Sequence, residues 1–288
     1  LTRYLTLVKF AGYGNVRSSG RVQTPTLALI VARERERLAF VPEDYWVIKG
    51  AFDAADKTGP TSGEGPLAFE APHATARFKD EAAANAAMAA VKGATSAKVL
   101  SIEKRSRKQQ PPVPFNTTSL MTAASAEGLS PARTMRLAES LYMDGYISYP
   151  RVDNTVYPSS LDLAEVVKTI SGNPAYAPFC KELLAKGQLT ATRGKKETTD
   201  HPPIYPTAMV TPDDLPPAEY KLYNLIARRF LATLSEAAVV EGTKVTLDIA
   251  GEHFAAKGDV LVHEGYRAIY PYGMKKDEQL PALAEGQQ

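Results

Sequence analysis

Near the middle of this 288-residue chain stands the run Gly145-Tyr146-Ile147-Ser148-Tyr149-Pro150-Arg151-Val152-Asp153-Asn154-Thr155, just after a predicted helix ends. It places a phenol, a guanidinium and a carboxylate at alternate positions: Tyr149, Arg151 and Asp153. Alternate side chains of an extended segment share one face, so these three point the same way if the chain stays extended through Pro150. A phenol beside a guanidinium suits phosphoryl transfer, with the phenol as nucleophile and the cation neutralising phosphate charge. The alternative is a tyrosine-rich strand beneath a loop, with Arg151 and Asp153 as a surface ion pair.

The run belongs to a longer pattern. Its other members are Gly20-Arg21-Val22-Gln23-Thr24-Pro25-Thr26-Leu27, Pro111-Pro112-Val113-Pro114-Phe115-Asn116-Thr117-Thr118-Ser119-Leu120, Arg133-Thr134-Met135, Leu141-Tyr142 and Asp200-His201-Pro202-Pro203-Ile204-Tyr205-Pro206-Thr207. In this order the blocks resemble the motifs of type IA DNA topoisomerases, and the likeness covers almost the whole sequence. The form Tyr149-Pro150-Arg151 is closer to the archaeal-like and topoisomerase III-like branches than to the main bacterial one.

Composition agrees with this resemblance without proving it. The formal net charge of +2 permits nucleic-acid binding but does not argue for it. One cysteine, Cys180, excludes a disulfide framework and suits a reducing cytosol. Since no apolar run is long enough to span a bilayer and no signal peptide is visible, we expect no membrane partner. The resemblance implies a cytoplasmic, nucleoid-associated protein. Leu1 already falls inside a predicted helix, so we expect a fragment of a longer protein.

Hydrophobic periodicity and capping residues predict the secondary structure. Predicted helices cover 24–37 (with Thr24 as N-cap), 81–92, 130–145, 160–170, 179–185 and 220–234, and predicted strands cover 44–53, 98–104 and 244–249. A loop is predicted at 57–66, and a hairpin turn at Gly251-Glu252.

The late strand Lys244–Ile249 indicates a discontinuous domain. Two or three strands cannot form an independent domain, so we expect this strand to join a sheet begun in the region 44–104. The resemblance implies the same layout, an α+β multidomain fold with a type IA topoisomerase core. We expect a partial helical base domain with a DNA-groove segment at 1–40, a β-rich arch at 41–112 and 238–275, an inserted helical, winged-helix-like domain carrying the nucleophilic tyrosine at 113–237, and a tail at 276–288 leading back to the base domain.

The resemblance makes Tyr149 the nucleophile, with Arg151 and His201 as further catalytic residues. A free phenol has a pKa of about 10, so a nearby cation or base must favour the phenolate, and Arg151 is the cation that the sequence supplies. His201 would donate to a phosphate oxygen or hold Asp153, although a lone histidine in a proline-rich turn is more often structural. Tyr146 is the competing tyrosine, which family alignment assigns to packing.

DNA binding is expected at two places. The resemblance puts a single-strand groove at a loop that enters a helix, where backbone amides bind phosphate and Arg21 adds charge. The residues expected there are Tyr13, Arg17, Ser19, Gly20, Arg21, Val22, Gln23 and Thr24. Tyr13 and Arg17 offer the ring and guanidinium usual for single-stranded DNA. Thr117 and Asp153 are expected to contact DNA near the nucleophile, with helix capping as the alternative role of Thr117.

Two departures from the family pattern matter. Val152 stands where the family commonly has a threonine, which removes a hydroxyl beside the reaction centre. The resemblance also implies Mg²⁺, but its acidic ligands belong to a domain that precedes this segment in the family. We therefore expect no metal ligand in this chain, and no strand cleavage by the chain alone.

The function implied by the resemblance is that of an ATP-independent isomerase. The intact enzyme would bind single-stranded DNA, form a 5′-phosphotyrosyl intermediate, pass a strand to relax negative supercoils, and reseal the break. No obligate protein partner is inferred. One alternative is a non-enzymatic winged-helix DNA-binding module, favoured if Tyr149 is buried. A tyrosine recombinase or nicking enzyme ranks lower, because recombinases place a histidine before the tyrosine, whereas His201 follows it.

Overall fold

The structure, a computed structural model, describes residues 20–54, 68–273 and 279–288. The predicted loop at 57–66 lies outside them. The regular elements are α1 (Gln23–Ala39), β1 (Lys49–Asp53), β2 (Ala68–Pro72), α2 (Glu81–Val91), β3 (Lys98–Gln109), α3 (Thr117–Ala126), α4 (Pro131–Met143), α5 (Leu163–Ile170), α6 (Ala177–Ala185), α7 (Pro217–Leu234), β4 (Ala238–Ile249) and β5 (Glu252–His263). None of the helices in these ranges is long and apolar enough to cross a membrane.

The chain divides into two compact units. The first contains residues up to 47 together with 77–86, and the second contains 48–76 and 87–288. In the first unit, α1 begins at Gln23 with Val22 as its N-cap and no side-chain cap. The predicted cap at Thr24 is therefore wrong. The first turn is tied instead by the hydroxyl of Thr26, which donates to the carbonyl of Val22 at 2.8 Å.

A three-stranded antiparallel sheet in the second unit has the order β3-β4-β5. The pairing of β3 with β4 runs from Lys98 opposite Asp248 to Gln109 opposite Ala238. This confirms that the late strand completes a sheet begun before residue 104. The structure extends β3 beyond its predicted end, because twelve-residue β4 supplies hydrogen-bonding partners along a charged stretch that carries no hydrophobic signal. The division into arch, insertion, base and tail stays a prediction.

The β4–β5 hairpin turns at Ala250 and Gly251, between the paired residues Ile249 and Glu252. Both turn residues have positive φ, 53° and 89°, as a two-residue hairpin turn of the primed type requires. The predicted turn at Gly251-Glu252 was thus placed one residue too late.

A smaller antiparallel pair, β1 with β2, packs with this sheet around a compact apolar core. Phe254 of β5 is fully buried there and lies edge-on to Phe52 and His73, at centroid distances of 5.8 and 5.2 Å. Beside the sheet, the end of the chain pairs with β3. The amide of Val99 donates to the carbonyl of Gln287, and the amide of Gly286 donates to the carbonyl of Val99.

Between β3 and β4 in sequence stands the helical block, whose central helix is α7. Ten of its residues are buried, and it packs against α3, α4 and α6. Its residue Phe230 lies in the core edge-on to Tyr157, at 5.7 Å. Because the apolar face of α7 collects contacts from residues far apart in sequence, this helix holds the block together.

Local sequence sets the ends of the helices nearest the candidate site. Asn116 and Ser119 form a capping box at the start of α3, and Ser130 caps α4 with Pro131 in the first turn. Gly145, with φ of 80°, follows the last turn of α4 and lets the chain leave the helix. The predicted cap at Ser130 and the predicted stop at Gly145 are confirmed.

Candidate active site

Three separate motif blocks meet at the end of α4. Phe115 forms an isolated antiparallel bridge with Ile204, and Ile147 forms one with Pro206. Ser148 ties the blocks further: its amide donates to the carbonyl of Tyr205, and its hydroxyl accepts from the amide of Tyr205 at 3.0 Å. The blocks recognised in sequence at 111–120, 145–155 and 200–207 therefore lie side by side.

Thr117 fastens the residues that follow Tyr149. Its hydroxyl donates to the carbonyl of Pro150 at 2.7 Å and accepts from the amide of Val152 at 2.8 Å. Its amide donates to the carbonyl of Val152 at 3.0 Å. The hydroxyl of Thr117 thus holds the backbone of residues 150–152 against the start of α3. DNA contact by Thr117 stays a prediction.

Residues 149–154, called the nucleophile segment below, belong to none of the strands in the described chain. Burial still alternates along it. Pro150, Val152 and Asn154 are buried, while Arg151 and Asp153 are exposed. The expectation for an extended segment, that alternate side chains share one face, holds for Arg151 and Asp153. Val152, which stands where the family has threonine, is 5% exposed and joins the helical core.

Tyr149 lies partly exposed between two other rings. Tyr142, from the last turn of α4, lies edge-on to Tyr149, with 5.3 Å between the ring centroids. The centroid of the His201 imidazole lies 4.7 Å from that of Tyr149, and the two ring planes meet at 47°. Tyr157 and Tyr205 are nearby alternatives, but burial raises the pKa of each above its usual value, which disfavours the phenolate. Tyr149 is therefore better placed to act as a nucleophile than these two.

Arg151 is oriented by Glu139 on α4. Its Nε donates to Glu139 Oε1 at 2.8 Å, and its Nη2 donates to the same oxygen. The Arg151 side chain is 59% exposed, and no described residue pairs with its Nη1. The structure thus puts Arg151 in an ion pair with Glu139 rather than with Asp153. Contact of Arg151 with a phosphate stays a prediction.

Asp153 is held from two sides. Asn116 Nδ2 donates to Oδ1 at 2.9 Å, and Lys196 Nζ lies 2.9 and 2.7 Å from Oδ1 and Oδ2. His201 is not among the partners that the structure gives this carboxylate. Of the two roles considered for His201, holding Asp153 is therefore not supported, and contact with phosphate stays a prediction.

The turn that carries His201, residues 198–201 and called the histidine turn below, is fixed by its backbone. Asn154 Nδ2 donates to the carbonyl of His201 at 3.0 Å and to that of Thr198 at 2.9 Å. The Thr198 hydroxyl donates to the carboxylate of Asp200. This hydrogen bond and a second one from the amide of His201 hold the pKa of the Asp200 carboxyl below its usual range. The buried amide of Asn154 thus links the nucleophile segment to the histidine turn.

A family model described as DNA topoisomerase matches the chain over residues 1–288. This chain belongs to the DNA topoisomerase family. The type IA resemblance given by the motifs is confirmed.

Relatives of this topoisomerase chain come from several kinds of organism. DNA topoisomerase 1 of Archaeoglobus fulgidus is 40% identical over 93% of this chain and 38% of the relative. DNA topoisomerase 1 of Thermoplasma acidophilum is 38% identical over 100% of this chain and 35% of the relative. DNA topoisomerase 3-beta-1 of Mus musculus is 32% identical over 99% of this chain and 33% of the relative. The chain thus spans about a third of the length of these relatives.

A solved structure shows the same fold. Full-length topoisomerase I from Thermotoga maritima superposes with a TM-score of 0.70 at 24% identity, covering 99% of this chain and 45% of that one. The α+β multidomain fold of a type IA topoisomerase core is therefore confirmed.

The upstream motif of this topoisomerase chain lies in the first unit. Gly20, Arg21 and Val22 are exposed and lead into α1, in which Gln23 and Thr24 form the first turn. Tyr13, Arg17 and Ser19 lie outside the described residues. DNA binding at this motif stays a prediction.

The resemblance implies Mg²⁺, whose ligands would be a cluster of acidic side chains. The described residues hold no group of three or more His, Cys, Asp or Glu placed to bind a metal ion. The described residues therefore do not fit a Mg²⁺ site.

Two charged residues of the site were not found from sequence. Glu139 contacts Arg151 across 12 positions, and Lys196 contacts Asp153 across 43. For Glu139, the signal was available in its place on the same face of α4 as Tyr142, one helical turn earlier. For Lys196 no local signal exists, since only the folded loop brings it to the nucleophile segment.

Proposed function

We propose that the protein containing this chain is a type IA DNA topoisomerase that cleaves and reseals a single DNA strand through Tyr149. The observation that carries this proposal is the meeting of three family motifs around one partly exposed tyrosine, with an arginine and a histidine from two of them. Its support comes from family membership over residues 1–288 and from the ring of His201 at 4.7 Å from that of Tyr149.

The proposed chemistry is a balanced exchange of phosphodiesters. The Tyr149 oxygen loses its proton and attacks the backbone phosphorus, forming an O–P bond as the bond from phosphorus to the 3′ oxygen breaks. The 3′ oxygen takes up a proton and leaves as a free hydroxyl, and the phosphate stays joined to the tyrosine at the 5′ end. Because one ester replaces another, attack by the 3′ hydroxyl reverses the step without ATP, and strand passage between the two steps changes supercoiling.

Each side chain has a proposed part in this step. The free end of the Arg151 guanidinium stabilises charge on the phosphate oxygens, as cations do in phosphoryl transfer. His201 donates a hydrogen bond to a phosphate oxygen. Gly20–Thr24 hold single-stranded DNA at the start of α1 by backbone amides and the charge of Arg21. The proposal includes Mg²⁺ held by residues other than those described, and places the protein in the cytoplasm at the nucleoid.

The direction of the covalent link tests this proposal. The full-length protein is incubated with a single-stranded oligonucleotide labelled at either its 5′ or its 3′ end, and quenched with denaturant. We expect the label at the 3′ end to migrate with the protein and the label at the 5′ end to be released on a shorter strand. A protein that retains the 5′-end label has made a 3′ link, which is the outcome for a tyrosine recombinase. No covalent product with either label would favour a binding module.

The non-enzymatic winged-helix module is the second function considered. It was favoured only if Tyr149 is buried, and Tyr149 is partly exposed. Nothing in the comparisons supports it or a recombinase.

Residues 1–288 alone are expected to bind DNA without relaxing it. We expect no relaxation of supercoiled plasmid with or without magnesium, because the resemblance places the acidic cluster elsewhere in the protein. A fluorescent single-stranded oligonucleotide should still bind weakly. The logarithm of its affinity should fall with the logarithm of salt concentration, by roughly 0.7 for each phosphate contact. Magnesium-dependent relaxation by the purified chain would show that a metal site exists within it.

A further inference from the structure

The loop of residues 193–198, called the lysine loop here, is docked onto the end of the nucleophile segment. The amide of Thr155 donates to the carbonyl of Lys196 at 2.8 Å, and the amide of Lys196 donates back to the Thr155 hydroxyl at 3.1 Å. The amide of Gly194 donates to the carbonyl of Thr155 at 3.0 Å. All three bonds are made with Thr155, so they fix the lysine loop beside a residue two positions after Asp153.

Glycine at position 194 is required by this docking. A Cβ added there would lie 2.2 Å from the Thr155 hydroxyl oxygen and 2.5 Å from the Thr155 Cβ. Because such distances are far inside van der Waals contact, any side chain would push the lysine loop off Thr155. The close approach of Gly194 to Thr155 therefore fixes the position of Lys196, two residues further on.

In this position the side chain of Lys196 reaches the carboxylate of Asp153. Lys196 Nζ reaches both of its oxygens, and Asn116 Nδ2 reaches Oδ1 from the other side. Asn116 is at the same time the N-cap of α3, through its Oδ1 and the amide of Ser119. Lys196, Asp153 and Asn116 thus join the lysine loop, the nucleophile segment and α3 in one chain of contacts.

Folding stability is a weak reason for this ion pair. Both side chains are 60% exposed, and exposed pairs contribute little to stability. A carboxylate four residues after Tyr149, on the same exposed side as Arg151, has another consequence. Unpaired, it would repel an approaching phosphodiester and compete with it for the Arg151 guanidinium.

We propose that Lys196 is a positioning residue for strand cleavage, which neutralises Asp153 and holds the nucleophile segment so that Arg151 is left to the phosphate. The proposal rests on the function proposed above and adds a residue to that site. It differs from a general attraction of DNA by positive charge, which any lysine of the loop would supply.

Lys195 provides the matched control. It neighbours Lys196 in the lysine loop, is exposed, and makes no ion pair with any described residue. In the full-length protein, Lys196→Met and Lys195→Met each remove one positive charge. The rate of single-turnover cleavage at saturating oligonucleotide is measured apart from the concentration that gives half the maximal rate.

We expect Lys196→Met to lower the saturating rate roughly ten- to hundredfold, the scale of a small misplacement of reacting groups. Lys195→Met should keep that rate within about twofold and raise only the half-saturating concentration, as loss of a distant phosphate attraction does. Lys196→Arg, which keeps the charge, should recover most of the rate. Rates unchanged in both Met variants, or an Arg variant as slow as Lys196→Met, would overturn the proposal.

A double-mutant cycle with Asp153→Asn tests whether Lys196 acts through that carboxylate. If it does, Lys196→Met should slow cleavage no further once Asp153→Asn is present. Fully additive effects would overturn the proposal. Thermal unfolding curves of each variant show that the compared rates come from folded protein. Failure of the proposed function is distinguished in the same assay, because the unmutated protein would then give no covalent product at all.

Discussion

Tyr149→Phe in the full-length protein is expected to abolish covalent capture of single-stranded DNA, a loss of roughly a thousandfold or more, as for removal of an enzymatic nucleophile. Only a hydroxyl is removed, and no described residue hydrogen-bonds to it. The ring contacts with Tyr142 and His201 remain available to phenylalanine. Folding should therefore be nearly unchanged. The measurements are denaturing gel detection of the protein–DNA adduct and a thermal unfolding curve.

Tyr146→Phe is the matched control, because it removes the same hydroxyl three residues earlier. Tyr146 packs against the helical core, and its carbonyl, which the substitution leaves in place, accepts from the amide of Thr207 at 2.9 Å. Capture should remain measurable in this variant. If the two variants exchanged outcomes, with capture lost in Tyr146→Phe alone, the assignment of the nucleophile would be wrong.

The parts of the fold that sequence predicted well are those governed by local chemistry. Ser130 before Pro131 and Gly145 after α4 bound that helix as expected, because a hydroxyl cap and a positive φ act within a single turn. The partner of the late strand was also predictable, since an isolated hairpin needs a further strand to be stable. These inferences use only neighbouring residues and a general limit on sheet size.

Errors arose where contacts outside the local pattern set the backbone. The α1 helix starts at Gln23 without a side-chain cap, so the familiar Thr24-Pro25 signal misplaced its beginning. Residues 149–154 were considered as an extended segment, but they join none of the described strands. The Thr117 hydroxyl holds them instead, through the carbonyl of Pro150 and the amide of Val152. Alternating polarity predicts the exposure of side chains here. It cannot show whether a neighbouring strand exists.

The candidate site follows the same division. The motif likeness brought Tyr149, Arg151 and His201 forward, and the fold places them in adjoining segments. The ion-pair partners of the charged residues in the nucleophile segment could not be predicted in the same way. Arg151 and Asp153 are next but one in sequence, yet each pairs with a residue elsewhere, Glu139 and Lys196. Charge pairing depends on which loop docks where, and that information exists only in the folded chain.

Phe230→Ala is expected to destabilise the helical block by about 3–5 kcal/mol, because it removes a fully buried ring that cannot be replaced by relaxation alone. The ring packs against Tyr157 and Tyr205, which adjoin the nucleophile segment and the histidine turn. Trp46 is the one tryptophan of the chain and belongs to the first unit, so its fluorescence is a poor reporter. Hydrogen exchange of peptides from α4 and α7 is the suitable measurement.

Met143→Ala, at the 80% exposed end of α4, serves as the control and should change stability by no more than about 0.5 kcal/mol. Amides of α4 and α7 should exchange faster in Phe230→Ala and at the unmutated rate in Met143→Ala. Because the same ring supports both segments of the site, covalent capture should decline with temperature in step with that loss of protection. Unchanged protection in Phe230→Ala would contradict the central role of α7. Lost protection with capture unaffected would instead show that the three motif blocks are held together independently of the core beneath them.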